Sequence, residues 1–144
     1  MEESAPKKDL QHAQPLELAG AILGELSKTR AANIKMLHVS DQTIIADYFI
    51  ICTGNSNTQI RAIATTLEVK MGEMNVFPSH IEGLDEATWV LLDYGSVIVH
   101  IFNSETRRVY NLEKLWADGA EIDISKYIVV DKVESGNEIR PQGN

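Results

Sequence analysis

The stretch that most constrains how this chain folds is Trp89 to Phe102, WVLLDYGSVIVHIF. It reads as two strands joined by a tight turn at Asp93-Tyr94-Gly95-Ser96. Apolar runs flanking a Gly-containing turn are the expected hairpin signal. Val, Ile, Trp, Tyr and Phe suit a pleated, half-buried surface. Side chains alternate along a strand, so the faces can be sorted by parity. One face carries Val90, Leu92, Tyr94, Val97, Val99 and Ile101 and reads as core beneath helices. The other carries Trp89, Leu91, Asp93, Ile98, His100 and Phe102. Large aromatics beside a carboxylate and an imidazole fit either a recognition surface or a second core with satisfied polar groups.

The hairpin needs partners, and the rest of the chain supplies them. Pro15 to about Ala31 reads as a helix, with Ala19, Ile22, Leu23 and Leu26 on one stripe. Asn33–Ser40 and Ala46–Thr53 read as strands, the second apolar almost throughout and so central. Ser56 and Gln59 have capping-box spacing ahead of a helix running from Asn57 to about Met74. Val76–Ile81 reads as a short strand, and Pro78 puts it at an edge. Ser104–Trp116 reads as one or two short helices capped by Ser104, with Val109, Leu112 and Trp116 packing together. Ile128-Val129-Val130 is a weaker strand candidate. The pattern predicts a single α/β domain with a mixed, mostly five-stranded sheet and flanking helices. Residues 1–14 read as a disordered polar tail, 15–117 as the domain and 118–144 as an acidic extension.

Composition narrows the partners. With 13 basic and 21 acidic residues the net charge is −8. Such a chain has little autonomous affinity for nucleic acid, because phosphate contacts need clustered Lys and Arg. A basic protein surface suits it better. No segment approaches the roughly 18 apolar residues of a membrane span. The N-terminus lacks an apolar signal region, which points to the cytoplasm.

Sites for chemistry are sparse. Gly54-Asn55-Ser56, between a strand and a helix, has the position of a phosphate-binding turn but neither Gly-rich fingerprint. A turn with an N-cap explains it better. The four histidines, His12, His38, His80 and His100, lack metal-ligand spacing, and Cys52 lies inside an apolar strand. No cofactor or metal is expected. His100 is a general-base candidate if Asp93 pairs with it. An enzyme reading would join Ser56, Asp93 and His100 around a nucleotide at Gly54–Ser56. Arg107 and Arg108 read as a solvated or partner-facing pair. Glu82, Asp85 and Glu86 immediately precede Trp89, an aromatic anchor ringed by carboxylates.

Three long segments then occur in order: ADYFIICTGNSNTQIRAIA (46–64), EGLDEATWVLLDYGSVIVHIF (82–102) and RRVYNLEKLW (107–116). Together they resemble the Iojap-like ribosomal silencing factor family across about residues 15–117. The resemblance implies a nucleotidyltransferase-like topology without catalysis. The strand after the Gly-Ser turn, Val76–Ile81, carries no carboxylate, whereas such enzymes need a pair there to hold magnesium. It implies binding to the large ribosomal subunit through large-subunit ribosomal protein fourteen, a block on subunit joining, a part in large-subunit maturation, and a homodimer when free. It places partner contact at Trp89 and its surroundings, so the expected docking residues are Glu82, Asp85, Trp89, Asp93, Tyr94, His100, Arg107 and Arg108.

Overall fold

A computed structural model describes residues 8–116 and 120–129. The hairpin forms as the parity argument requires. Strands Trp89–Asp93 (β4) and Val97–Phe102 (β5) pair antiparallel, with Trp89 opposite Phe102, Leu91 opposite His100 and Asp93 opposite Ile98. The turn closes through Tyr94 N–H donating to the Val97 carbonyl at 2.9 Å. Gly95 takes φ +86°, and its N–H donates to Asp93 Oδ1 at 2.8 Å. A left-handed residue in a tight turn is the natural place for glycine.

Around the hairpin, Ala32–His38 (β1), Tyr48–Thr53 (β2), His80–Glu82 (β3) and Ala120–Ile122 (β6) complete a six-stranded sheet in the order β3-β4-β5-β2-β1-β6. The β2–β5 pair is parallel and every other pair is antiparallel. All six residues of β5 are buried, as are five of the six in β2. Continuous apolar strands belong in a position covered on both faces. Pro78 does precede an edge strand, though β3 is shorter than Val76–Ile81.

The thicker core lies between one sheet face and two helices, Pro15–Ser27 (α1) and Asn57–Gly72 (α2). Val90, Leu92, Tyr94, Val97, Val99 and Ile101 face it, as expected. α1 ends at Ser27 rather than Ala31, because Thr29 turns the chain. Its hydroxyl donates to the Leu26 carbonyl and accepts the Ala31 N–H. Ser56 caps α2 by accepting the Gln59 N–H at 3.0 Å. The Gln59 side chain returns to the Asn55 N–H rather than to that of Ser56.

A thinner core covers the other face beneath Ser104–Tyr110 (α3) and Leu112–Leu115 (α4). Here two expectations are corrected and the choice between one helix and two is decided. Asn103, not Ser104, caps α3 by accepting the Thr106 N–H at 2.7 Å. Asn111 adopts φ +47°, ψ 59°, which breaks the segment into two helices. That break rotates Val109 into solvent, while Leu112 and Trp116 still pack inward.

The compact fold extends beyond residues 15–117 at both ends. Leu10 is buried and its N–H donates to the Met74 carbonyl at 2.8 Å. β6 pairs with β1, and a 3-10 turn at Ser125–Tyr127 follows. The Tyr127 ring packs on α1 where Gly20 leaves room, since a Cβ there would stand 2.8 Å from the ring. The sixth strand is therefore 120–122; Ile128 and Val129 are not in a strand, and Val130 lies outside the described residues. So do residues 1–7 and the boundary at Asp118-Gly119.

The unequal cores give a direct stability test on adjacent residues. Leu92→Ala removes a fully buried side chain from the thick core and is expected to cost about 3 kcal/mol. Leu91→Ala, half-buried on the thin side, is expected to cost about 1 kcal/mol. Urea denaturation of both variants reads the difference, and equal costs would reverse the assignment of faces.

A candidate docking surface around Trp89

Trp89 opens β4, half-buried at the rim of the thin core. Its Nε1–H donates to His100 Nδ1 at 3.1 Å. The indole stacks on Phe102 with centroids 4.9 Å apart and leans on Tyr110 at 4.8 Å. Behind it, Phe49 meets His100 and Trp116 edge-on at 4.8 and 5.5 Å. Aromatic pairs in such geometries add to simple burial. The ring is thus held in one orientation, with part of its surface in water.

His100 is a structural partner of Trp89. It is buried, and burial lowers its pKa to about 4. Because Nδ1 accepts the indole proton, the neutral ring carries its own proton on Nε2, which has no acceptor among the described residues. The pairing with Asp93 considered from sequence does not form. Asp93 binds the Gly95 N–H through Oδ1, and Oδ2 lies 4.0 Å from His80 Nδ1. The register sets Asp93 opposite Ile98, and His100 opposite Leu91. Tyr94 also turns inward. Its hydroxyl is buried without a partner among the described residues, and burial, with Glu68 nearby, raises its pKa.

The acidic loop is placed by backbone contacts. Gly83 takes φ +91°, and a Cβ there would stand 2.1 Å from the Trp89 carbonyl oxygen. Only glycine permits the loop to fold against the tryptophan. From α2, Arg61 donates to the carbonyls of Leu84 (2.9 Å) and Asp85 (2.6 Å), and Asn57 donates to that of Glu86 (3.1 Å). Arg61 thus grips the main chain while Glu82, Asp85 and Glu86 stay exposed, without an ion pair among the described residues. A cleft of about 340 Å³ lies between this loop and Trp89.

The two arginines part company. Arg107 is a clamp: Nε and Nη2 donate to Glu113 Oε2 at 3.1 and 2.9 Å, and Nη1 donates to the Asn33 carbonyl and Thr53 Oγ1 at 2.8 and 2.7 Å. With its side chain only 11% exposed, it does not fit the solvated half of the solvated-or-partner-facing reading. Arg108 is exposed. Sequence reasoning missed Val109, Tyr110 and Leu115, which stand 70%, 57% and 69% exposed on the α3–α4 face. Tyr110 joins them to Trp89. The signal was present in Asn111, whose left-handed turn resets the helical phase.

The Gly-Ser turn is occupied by its own chain. Gly54 N–H donates to the Phe102 carbonyl, Asn55 N–H to Gln59 Oε1, and Ser56 Oγ caps α2. Ser56 stands where β2 ends, near Phe102, whereas Asp93 is at the other end of the hairpin. Ser56, Asp93 and His100 therefore do not converge. Burial raises the Cys52 thiol to about 12, which keeps it protonated. Among the described residues no cluster of His, Cys, Asp or Glu could hold a metal, and no helix is long and apolar enough to cross a membrane.

His100 makes stability depend on pH. The unfolded imidazole binds a proton below about 6.5, whereas the folded one stays neutral until about 4. Stability is then full above 6.5 and falls as pH drops toward 4, by about 3 kcal/mol. His100→Gln keeps an acceptor for the indole but does not titrate. Denaturation at pH 7 and pH 4.5 should show a smaller loss for this variant than for wild type; equal losses would mean His100 does not carry the dependence.

The sequence matches the model of the family described as "Ribosomal silencing factor during starvation" over residues 12–142. It is 44% identical to the ribosomal silencing factor RsfS of Bacillus subtilis over 95 residues, 66% of this chain and 80% of that one. A crystal structure of a Chromobacterium violaceum protein superimposes with a TM-score of 0.70 at 32% identity, covering 72% of this chain and 87% of that one. A mouse relative, named for mitochondrial assembly of the ribosomal large subunit, is 36% identical over 63% of this chain and 41% of its own length. The chain belongs to the ribosomal silencing factor family.

Proposed function

We propose that this protein binds the large ribosomal subunit through a basic protein surface seated over Trp89, and that its bulk there blocks joining of the small subunit. The observation that carries this reading is the orientation-locked, half-buried Trp89 beside the exposed carboxylates of Glu82, Asp85 and Glu86. An aromatic anchor in a water-excluding rim is where binding energy concentrates. Carboxylates around it steer a basic partner and repel RNA phosphates. Large-subunit ribosomal protein fourteen is the partner implied by the sequence resemblance. The names of the relatives, which speak of silencing and of large-subunit assembly, support the same direction. The action is regulatory and steric rather than catalytic, and a 16.0 kDa body at the joining face suffices. A role in large-subunit maturation fits the same contact, and free protein pairs with itself.

Burial sorts the expected contact residues. Trp89, Glu82, Asp85 and Arg108 touch the partner, joined by Tyr110, Val109 and Leu115. Asp93 contributes only at the margin, from the far end of β4. His100 and Arg107 hold the surface from beneath, and Tyr94 lies in the thick core on the other face of the sheet.

Sedimentation with separated, purified subunits tests this. The wild type should co-migrate with the large subunit; migration with the small subunit alone, or with neither, would defeat the reading. Tyr110→Ala removes a mostly exposed ring that leans on Trp89 and should weaken binding while lowering the melting temperature much less than Trp89→Ala does. Trp89→Ala should lose at least roughly 2 kcal/mol of binding, about thirtyfold, together with some stability. Undiminished binding by both variants would move the contact elsewhere.

A further inference from the structure

Ile44 is 103% exposed and Ile45 59%, at the tip of the loop from Val39 to Asp47. Single exposed aliphatics are ordinary. Two adjacent ones on a loop with so much internal bonding are not. Val39 N–H donates to the Asp47 carbonyl at 2.8 Å and closes the loop's base. The Val39 carbonyl accepts the N–H groups of Gln42 and Thr43, at 2.9 and 3.1 Å. Ile45 N–H donates to Thr43 Oγ1, and Ser40 Oγ meets His38 Nε2 at 2.6 Å. Asp47 and Tyr48 both donate from their N–H groups to the Ser96 carbonyl, tying the loop to the hairpin turn. The shape is set before any partner arrives, so little ordering entropy is lost on binding.

The loop's two roots settle which way it belongs. Val39 and Ala46 are buried in the thin core, with Phe49, Trp116 and Trp89. The loop therefore stands on the same side as Tyr110 and Leu115. β2 separates it from the Trp89 end, and six residues of strand span about 20 Å. A standard interface buries roughly 800 Å² per partner, a patch about 30 Å across. One partner can cover both ends.

We propose that Ile44 and Ile45 form a second anchor of the docking face, gripping the same basic protein surface of the large subunit as Trp89. The inference rests on the ribosomal reading above. Charge selects the occupant. Asp41 is exposed beside the isoleucines and Asp47 half-buried, as Glu82, Asp85 and Glu86 flank the tryptophan. Acidic groups at both ends exclude an RNA strand and favour a protein with apolar pockets rimmed by Lys and Arg. Two anchors some 20 Å apart fix the angle at which this body stands on the subunit, which one aromatic contact does not.

The test uses the full chain and purified large subunits. A double variant, Ile44→Ser with Ile45→Ser, should keep a melting temperature close to that of wild type, because Ile44 is fully and Ile45 more than half exposed among the described residues. Its affinity for large subunits should fall tenfold or more, and combining it with Tyr110→Ala should weaken binding further. Wild-type affinity in the double variant overturns the proposal while leaving Trp89 docking intact. If wild type itself fails to bind large subunits, the ribosomal reading fails and the anchor with it. If the double variant binds normally but loses self-association in analytical ultracentrifugation, the loop serves a second copy instead and the proposal is wrong.

Discussion

Complete burial of β5 is the constraint on which the molecule depends. Its six residues, VIVHIF, lie between β4 and β2 with both faces covered. A strand in that position needs a cover on each side, and the two covers are unequal. α1 and α2 supply long apolar stripes; α3 and α4 supply seven and four residues. Burial at roughly 25 cal/mol per Å² makes the first cover strong and the second thin. The thin side is where Val109, Tyr110, Leu115 and part of Trp89 meet water. The exposed face follows from this inequality: two short helices have too little area to hide the face they cover.

Trp89 sits on the boundary between stability and recognition. Its indole N–H is satisfied within the fold, so the proposed partner would meet an apolar ring that needs no new hydrogen bond. His100 provides that acceptor only while neutral, and burial keeps it neutral. The residue that looked like an acid–base group in the sequence is instead the reason the tryptophan points one way.

Local rules carried much of the fold. Alternation sorted the hairpin faces, Ser56 marked the start of α2, and Pro78 placed β3 at an edge. The acidic loop beside Trp89 was legible for the same reason, being adjacent in sequence. Failures came where distant residues decide. β6 forms because β1 offers it an edge, which no propensity in Ala120–Ile122 announces. Arg107 is a clamp because Asn33, Thr53 and Glu113 converge on it from three elements. His100 pairs with Trp89 rather than Asp93 because of diagonal reach across the hairpin. Asn111 is the local exception, a single left-handed residue that changed which side chains face water.

The segment 120–129 carries a consequence for the order of events during synthesis. β6 covers the outer edge of β1, Tyr127 lies against Gly20, and Val129 N–H reaches Ser27 Oγ across 102 residues of sequence. Closing so long a loop is entropically costly and comes late. The chain leaves the ribosome N-terminus first, so β1 and α1 are made long before the segment that covers them. Until it arrives, Met36 to His38 present an unpaired strand edge, the kind of surface that seeks another chain. The sheet is thus complete only once residues 120–122 have been made, some eighty residues after the edge they cover.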